Sequence, residues 1–188
     1  MVAECVCPVL LHRKCLHVIQ IIPAMAADRP EIDTLLDAGF GPARHKRTAY
    51  RLREGVSALP DLSFVARDGD ALVGSLQCWP LQLRCAAGAV VRLTLLGPVA
   101  TAAEWRGRKV ASRMIAAAIA AADAAGAPPM LLIGDAPFYG RFGFSAVATS
   151  AWVMPGPVER ARLLLRGDAA ALPVIGWVEP FGAVRRAA

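Results

Sequence analysis

The sequence has no apolar run long enough to cross a bilayer. The longest candidate, Met114 to Ala122, is nine residues bounded by Arg113 and Asp123, against the ~20 that a spanning helix needs. Alanine supplies much of the apolar fraction of 56% and of the mean hydropathy of +0.45, so neither figure argues for a membrane protein. An uninterrupted apolar secretion core is missing too, because Glu4 and then His12, Arg13 and Lys14 break it before the small residues around Ala24 to Ala27. An even set of cysteines is lacking: the five, at positions 5, 7, 15, 78 and 85, argue against a closed disulfide framework and for reduced thiols. A cytoplasmic protein is expected. No G-x-G-x-x-G or G-x-x-x-x-G-K-[ST] follows any strand-like run, which disfavours a nucleotide- or dinucleotide-binding protein.

Histidine is scarce, and all three fall in the first 45 residues. None lies in the strand-like segments around Cys78, so a buried structural cysteine is a better reading there than a thiol nucleophile. Cys5, Cys7, His12, Cys15 and His17 form a short tract of potential zinc ligands, but their spacing fits no closed zinc module. No metal site is expected. The net charge of +6 suggests acidic ligands. Basic residues also lie at His45, Lys46, Arg47, Arg51 and Arg53, without the aromatic interleaving that stacks bases, so nucleic acid is not required.

What is present is enough chain for one well-buried domain. Val18 to Ile22 reads as a first strand, and Asp28 with Pro30 opens a helix running to Gly39 and Gly41. A second helix is expected over Ala43 to Arg53. Leu62 to Ala66 reads as a strand, Arg67-Asp68-Gly69-Asp70 as a hairpin turn, and Ala71 to Arg84 as a strand whose Pro80 implies an edge or a bulge. Ala89 to Val99 should be the central strand, with Gly97 and Pro98 marking a bulge near its end. A helix from Lys109 to Ala125 carries Val110, Met114, Ala118 and Ala121 as its apolar stripe and stops at Gly126. Met130 to Ile133 reads as a buried strand. Ala146 to Val153 reads as a further strand, Val158 to Leu165 as a short helix or strand, and Val174 to Val178 as the last strand.

The turn between the central strand and the long helix is the chemically informative part. Arg106, Gly107, Arg108 and Lys109 place three cations in four residues where a strand hands over to a helix. The first helical turn leaves backbone N–H groups without partners and favours a nearby anion by about 0.3–1 kcal/mol. A diphosphate is a reasonable guest. The bland alternative is a solvated basic helix end made of Arg106, Arg108, Lys109 and Arg113. Downstream, Asp135 is a candidate N-cap, Pro137 lies in the first helical turn, and Phe138, Tyr139, Phe142 and Phe144 crowd a short helix ending near Gly143.

The run L-T-L-L-G-P-V-A, the turn W-R-G-R-K-V-A, the strand M-L-L-I-G-D and the segment A-P-F-Y-G-R-F-G-F, in that order, resemble the GNAT superfamily of acyl-CoA-dependent N-acetyltransferases. Within it they are most similar to small predicted bacterial acetyltransferases. The resemblance covers roughly Ile19 to Phe144. It implies an α/β (α+β) fold with a central mixed, mostly antiparallel sheet flanked by helices and splayed between its fourth and fifth strands. Residues 1–18 are then a poorly ordered extension, and residues 19–188 one GNAT domain.

The family's turn, Arg/Gln-x-x-Gly-x-Gly/Ala, holds the pyrophosphate of coenzyme A. Here Arg106, Lys109 and Ala111 align with it, and Lys109 stands where the first glycine is usual. If the backbone there is simply the start of the helix, lysine costs little; if it needs glycine's dihedrals, lysine is strained. The resemblance implies cofactor contacts at Arg106, Gly107, Arg108, Lys109, Val110 and Ala111. It also implies backbone contacts to the pantetheine and acyl end from Pro98, Val99 and Ala100, where the strands part. Tyr139 matches the tyrosine that protonates the departing thiolate; the alternative is one more aromatic in a hydrophobic cluster. Phe40, Tyr50 and Arg51 are candidate walls of the acceptor site.

The implied reaction is direct acetyl transfer from acetyl-CoA, as cosubstrate, to a primary amine. Its acceptor is a small molecule or a peptide, with no nucleic acid or membrane partner, and a homodimer is compatible with this reading. The proton of the amine has no evident base: Arg92 and Thr94 lie on the central strand, Glu104 reads as a surface group, and Asp135 or a water chain stays open. A non-catalytic acyl-CoA-binding or regulatory module is the alternative.

Overall fold

Strand β1 (Gln20–Pro23) pairs antiparallel with β2 (Phe64–Asp68), which turns through Gly69 and Asp70 into β3 (Ala71–Arg84). The long strand β3 pairs along its other edge with β4 (Val90–Thr101). The order continues to β5 (Met130–Ile133), parallel to β4, and then to β7 (Leu163–Arg166), antiparallel to β5. Two short strands close the other side: β6 (Ala151–Val153) pairs with β8 (Ile175–Pro180), and β8 with β3. The sheet is mixed and mostly antiparallel, as expected. The computed structural model describes residues 18–86 and 88–182. Apart from Val18, the expected extension and its Cys5, Cys7, His12, Cys15 and His17 tract lie outside them.

Pro80 sits where β3 changes partners on one edge, after its last pairing with β2 at Leu76 and before its first with β8 at Leu81. A residue without an N–H donor is tolerated at such a handover. Helix α1 (Arg29–Phe40) lays Ile32 and Leu36 on Val65 and Ala100, whereas α3 (Val110–Ala124) lays Val110, Met114 and Ala118 against a cluster containing Ala66, Leu76 and Leu96. Val65 and Ala66 are successive strand residues and point to opposite faces. The helices therefore cover both sides of the sheet. Strand β5 alternates in the same way, Met130 and Leu132 in one cluster and Leu131 in the other, which is why its sequence is continuously apolar.

Two expectations differ from the structure, and a third is resolved by it. The second helix is broken into a 3₁₀ turn at Pro42–Lys46 and a short α2 (Thr48–Arg51), with Arg47 extended between them (φ −74°, ψ 148°). Arg44 is fixed to α1 through Asp33 and Asp37, while Thr48 Oγ1 donates to the Pro157 carbonyl at 2.6 Å and Arg51 Nη1 to that of Pro155 at 2.7 Å. Anchors on two different elements outweigh the continuous helical pattern. Ala146 to Val153 is a strand only from Ala151; before it a 3₁₀ turn spans Val147–Thr149, where Thr149 Oγ1 donates to the Leu163 carbonyl at 2.6 Å. Between Val158 and Leu165 the chain makes a 3₁₀ turn at Arg160–Arg162 and then enters β7.

Candidate active site

The pairing of β4 with β5 is short. Only Thr94 with Met130 and Leu95 with Leu131 are in register; beyond Leu95, β4 stays with β3 while β5 stays with β7. The divergence coincides with a β-bulge: Leu76 faces Val99 and Cys78 faces Leu96, so three steps along β4 oppose two along β3 at Gly97 and Pro98. A cavity of about 680 Å³ opens there. Leu95 to Val99 form one side, Ile133, Gly134, Asp135 and Tyr139 another, and Tyr50 and Arg53 approach from the α2 region.

Tyr139 ends the one-turn helix α4 (Ala136–Tyr139), whose Phe138 and Tyr139 N–H groups donate to the Asp135 carbonyl at 3.1 and 2.9 Å. Asp135 holds the N-cap position, but its side chain makes no capping bond and is exposed at the cavity. The Tyr139 ring lies edge-on to Phe138 and Phe144, with centroids 4.9 and 6.1 Å away. Its other support is Gly134, where a Cβ would stand 2.3 Å from Tyr139 Cε2. Only glycine admits the ring there. Burial pushes the phenol's pKa up and Asp135 adds to that, against an opposing pull from Arg162, so the hydroxyl keeps its proton at neutral pH.

On the far side of α4 a second cavity, of about 340 Å³, is lined by the strand-to-helix turn together with Thr101, Phe138 and Arg141. Gly107 has φ 78°, and Lys109, the N-cap of α3, is left-handed (φ 60°, ψ 15°). The backbone at Lys109 is thus not an ordinary helix start: it holds the conformation for which glycine is suited, at a cost of roughly 1–2 kcal/mol for a side-chain-bearing residue. Val110, Ala111 and Ser112, the first turn of α3, line this cavity, where the leading N–H groups of a helix lack partners within it. Thr101 Oγ1 is buried without a hydrogen-bond partner among them. Arg106, Lys109 and Arg141 line this cavity, and among the described residues no carboxylate does. Free donors, an orphaned hydroxyl and three cations fit a diphosphate.

Residues 20–147, more than half of the chain, match the family model described as the acetyltransferase (GNAT) domain. The chain belongs to the GNAT acetyltransferase family. Its fold is similar to that of the GNAT family N-acetyltransferase YhbS from Escherichia coli in complex with CoA, with a TM-score of 0.70, 24% identity, and 89% of this chain and 92% of that one covered. A GNAT family acetyltransferase from Brucella melitensis in complex with acetyl-CoA is similar at a TM-score of 0.54 and 24% identity, covering 82% and 99% of the two chains. None of the curated proteins matches in sequence.

The GNAT site residues named from sequence divide between the two cavities. Pro98, Val99 and Tyr139 line the larger, and Arg106, Gly107, Lys109, Val110 and Ala111 the smaller. Ala100 lines neither; its side chain is buried against α1, and it pairs with Ser75 in the sheet. Arg108 is turned aside, its guanidinium 4.7 Å from the Trp105 ring centroid. Phe40 and Tyr50 line the larger cavity, whereas Arg51 is engaged by the Pro155 carbonyl. Cys78 is fully buried and its thiol is pushed up to about 12 by burial. Gly134, Arg53, Glu159 and Arg162 reach the larger cavity unforeseen. For Gly134 the signal was present, a glycine directly before the Asp135 turn. The others come from segments with no motif.

No helix among the described residues is long and apolar enough to cross a membrane.

Proposed function

We propose that this GNAT protein transfers the acetyl group of acetyl-CoA directly to a primary amine, with Tyr139 as the acid. The observation that carries this reading is a half-buried, protonated phenol lining the same cavity as the β4 edge that β5 leaves unpaired. The diphosphate is held at the turn by Arg106, Lys109 and the first N–H groups of α3, while the pantetheine arm runs along the free β4 edge near Pro98, Val99 and Ala100, much as an added strand would. The amine nitrogen attacks the thioester carbonyl carbon. As the C–N bond forms and the C–S bond breaks, the sulfur takes the Tyr139 proton.

The amine must first be neutral, and at pH 7.5 only about one lysine-like amine in a thousand is. Asp135 and Glu159 are the carboxylates lining the cavity, and one of them receives the proton directly or through water. Replacement of Tyr139 by Phe tests the proposal: turnover measured by thiol release should fall on the order of 100- to 10,000-fold, with acetyl-CoA affinity unchanged. Unchanged turnover removes Tyr139 as the acid.

A further inference from the structure

The two arginines beside Tyr50 are in opposite states. Arg44, 3% exposed, is paired with Asp37 at 2.7 Å and Asp33 at 3.0 Å and donates to the Tyr50 hydroxyl oxygen. Burial opposes its charge, but these three partners outweigh burial and raise its pKa. Arg53 lines the same cavity with Tyr50 as a polar partner and no carboxylate partner among the described residues. Its guanidinium is stacked 4.3 Å from the Tyr50 ring centroid and 5.6 Å from that of Trp79. Its Nε is buried without a hydrogen-bond partner among the described residues, and no carboxylate forms an ion pair with it there. Desolvation lowers its pKa to about 10, with support from Tyr50 and opposition from Arg44, so it is still a cation at neutral pH.

Buried charges are normally paired, because water no longer solvates them. Arg53, half-buried with its Nε enclosed, faces an open cavity instead. Two donors line it. The guanidinium offers a planar fork matched to a carboxylate. The Tyr50 oxygen already accepts from Arg44, which leaves its own O–H free to donate. Behind Arg53, Trp79 Nε1 is buried without a partner among the described residues but does not line the cavity. Asp135 and Glu159 also line the cavity, from around α4 and the approach to β7, and among the described residues neither forms an ion pair with Arg53.

We propose that the acceptor is an amine carrying a carboxylate, and that Arg53, with the Tyr50 hydroxyl, receives that carboxylate while the amine is presented to the thioester. The inference rests on the acyl-transfer reading for what happens to the amine. It does not need that reading for the binding of the anion. A planar carboxylate suits the Arg53 guanidinium between two aromatic rings: Arg44 is already satisfied by two carboxylates, and Arg47 and Arg162, which also line the cavity, donate to the Phe40 and Gly134 carbonyls.

The test uses the full chain and matched probes: glycine, β-alanine and 4-aminobutyrate against ethylamine, propylamine and butylamine, with 2-aminoethyl phosphate as the phosphate counterpart. Calorimetry in the presence of CoA gives affinity, and thiol release from acetyl-CoA gives kcat and KM. The best amino acid should bind at least tenfold tighter than the best alkylamine. Arg53→Met should raise its KM tenfold or more and leave the alkylamine values and acetyl-CoA affinity unchanged, with Arg53→Lys recovering part of the loss. If Arg53→Met does not fold, Tyr50→Phe keeps the ring and should weaken the amino acid alone, several-fold. Equal binding of the two series, including no binding of either, overturns the inference, as does tighter binding of 2-aminoethyl phosphate. Carboxylate-selective binding without turnover of any amine would overturn acetyl transfer and leave the Arg53 site standing; equal turnover of both series would do the reverse.

Discussion

At the scale of single residues, Lys109 and Tyr139 carry the account. Lys109 is the one residue other than glycine with positive φ among those described. Replacing it with Gly should stabilise the fold by about 1 kcal/mol. For a chain of this size that is a rise in Tm of roughly 2–4 °C. Calorimetric titration with CoA separates the ammonium's part from the backbone's: affinity should fall if the ammonium meets phosphate and hold or rise if lysine is only tolerated, and an unchanged Tm would contradict the strain. Tyr139 has its pKa raised above that of a free phenol, so its protonated form extends to higher pH in the folded protein. The pH profile of kcat should therefore show no alkaline loss from this group below about pH 10. A fall centred near pH 8 would exclude it. Cys78, with its thiol pushed up to about 12, should resist alkylation in the native protein, as peptide mapping would show.

At the scale of elements, Gly134 couples β5 to α4. A Cβ there collides with the Tyr139 ring at 2.3 and 2.6 Å, and Leu132 Cδ1 at 2.8 Å blocks a simple retreat. Gly134→Ala should cost about 1–3 kcal/mol in denaturant melts and depress turnover as the phenol moves, with acetyl-CoA affinity changed little. Wild-type turnover would show that the ring is not held by this contact. The same elements show what a sequence can disclose. Strand β5 and helix α3 were legible because their patterns are strong and Gly126 punctuates them. Arg47 broke an otherwise acceptable helix because Arg44, Thr48 and Arg51 answer to partners on α1 and near residues 155–157. Those partners are far away in the chain, and no local pattern announces them.

At the scale of the molecule, charge and topology act together. The strand-to-helix turn and the aromatic segment around Tyr139 were readable as motifs, each contiguous, and the fold brings them together, with Phe138 and Arg141 lining the turn's cavity and Tyr139 the other. The rest of the larger cavity was less so, since Arg53, Glu159 and Arg162 come to line it only when the approach to β7 folds against α2. With 21 basic and 15 acidic residues overall and a carboxylate-free phosphate cavity, acetyl-CoA affinity should weaken several-fold as ionic strength rises from about 0.05 to 0.5 M. Insensitivity to salt would argue against the cationic turn as the diphosphate site. The most direct measurement is calorimetric titration of the purified protein with acetyl-CoA, with ATP and NADPH as controls. Micromolar binding of acetyl-CoA alone is the predicted result; no binding, or equal binding of all three, would contradict the claim that this fold retains a working coenzyme A site.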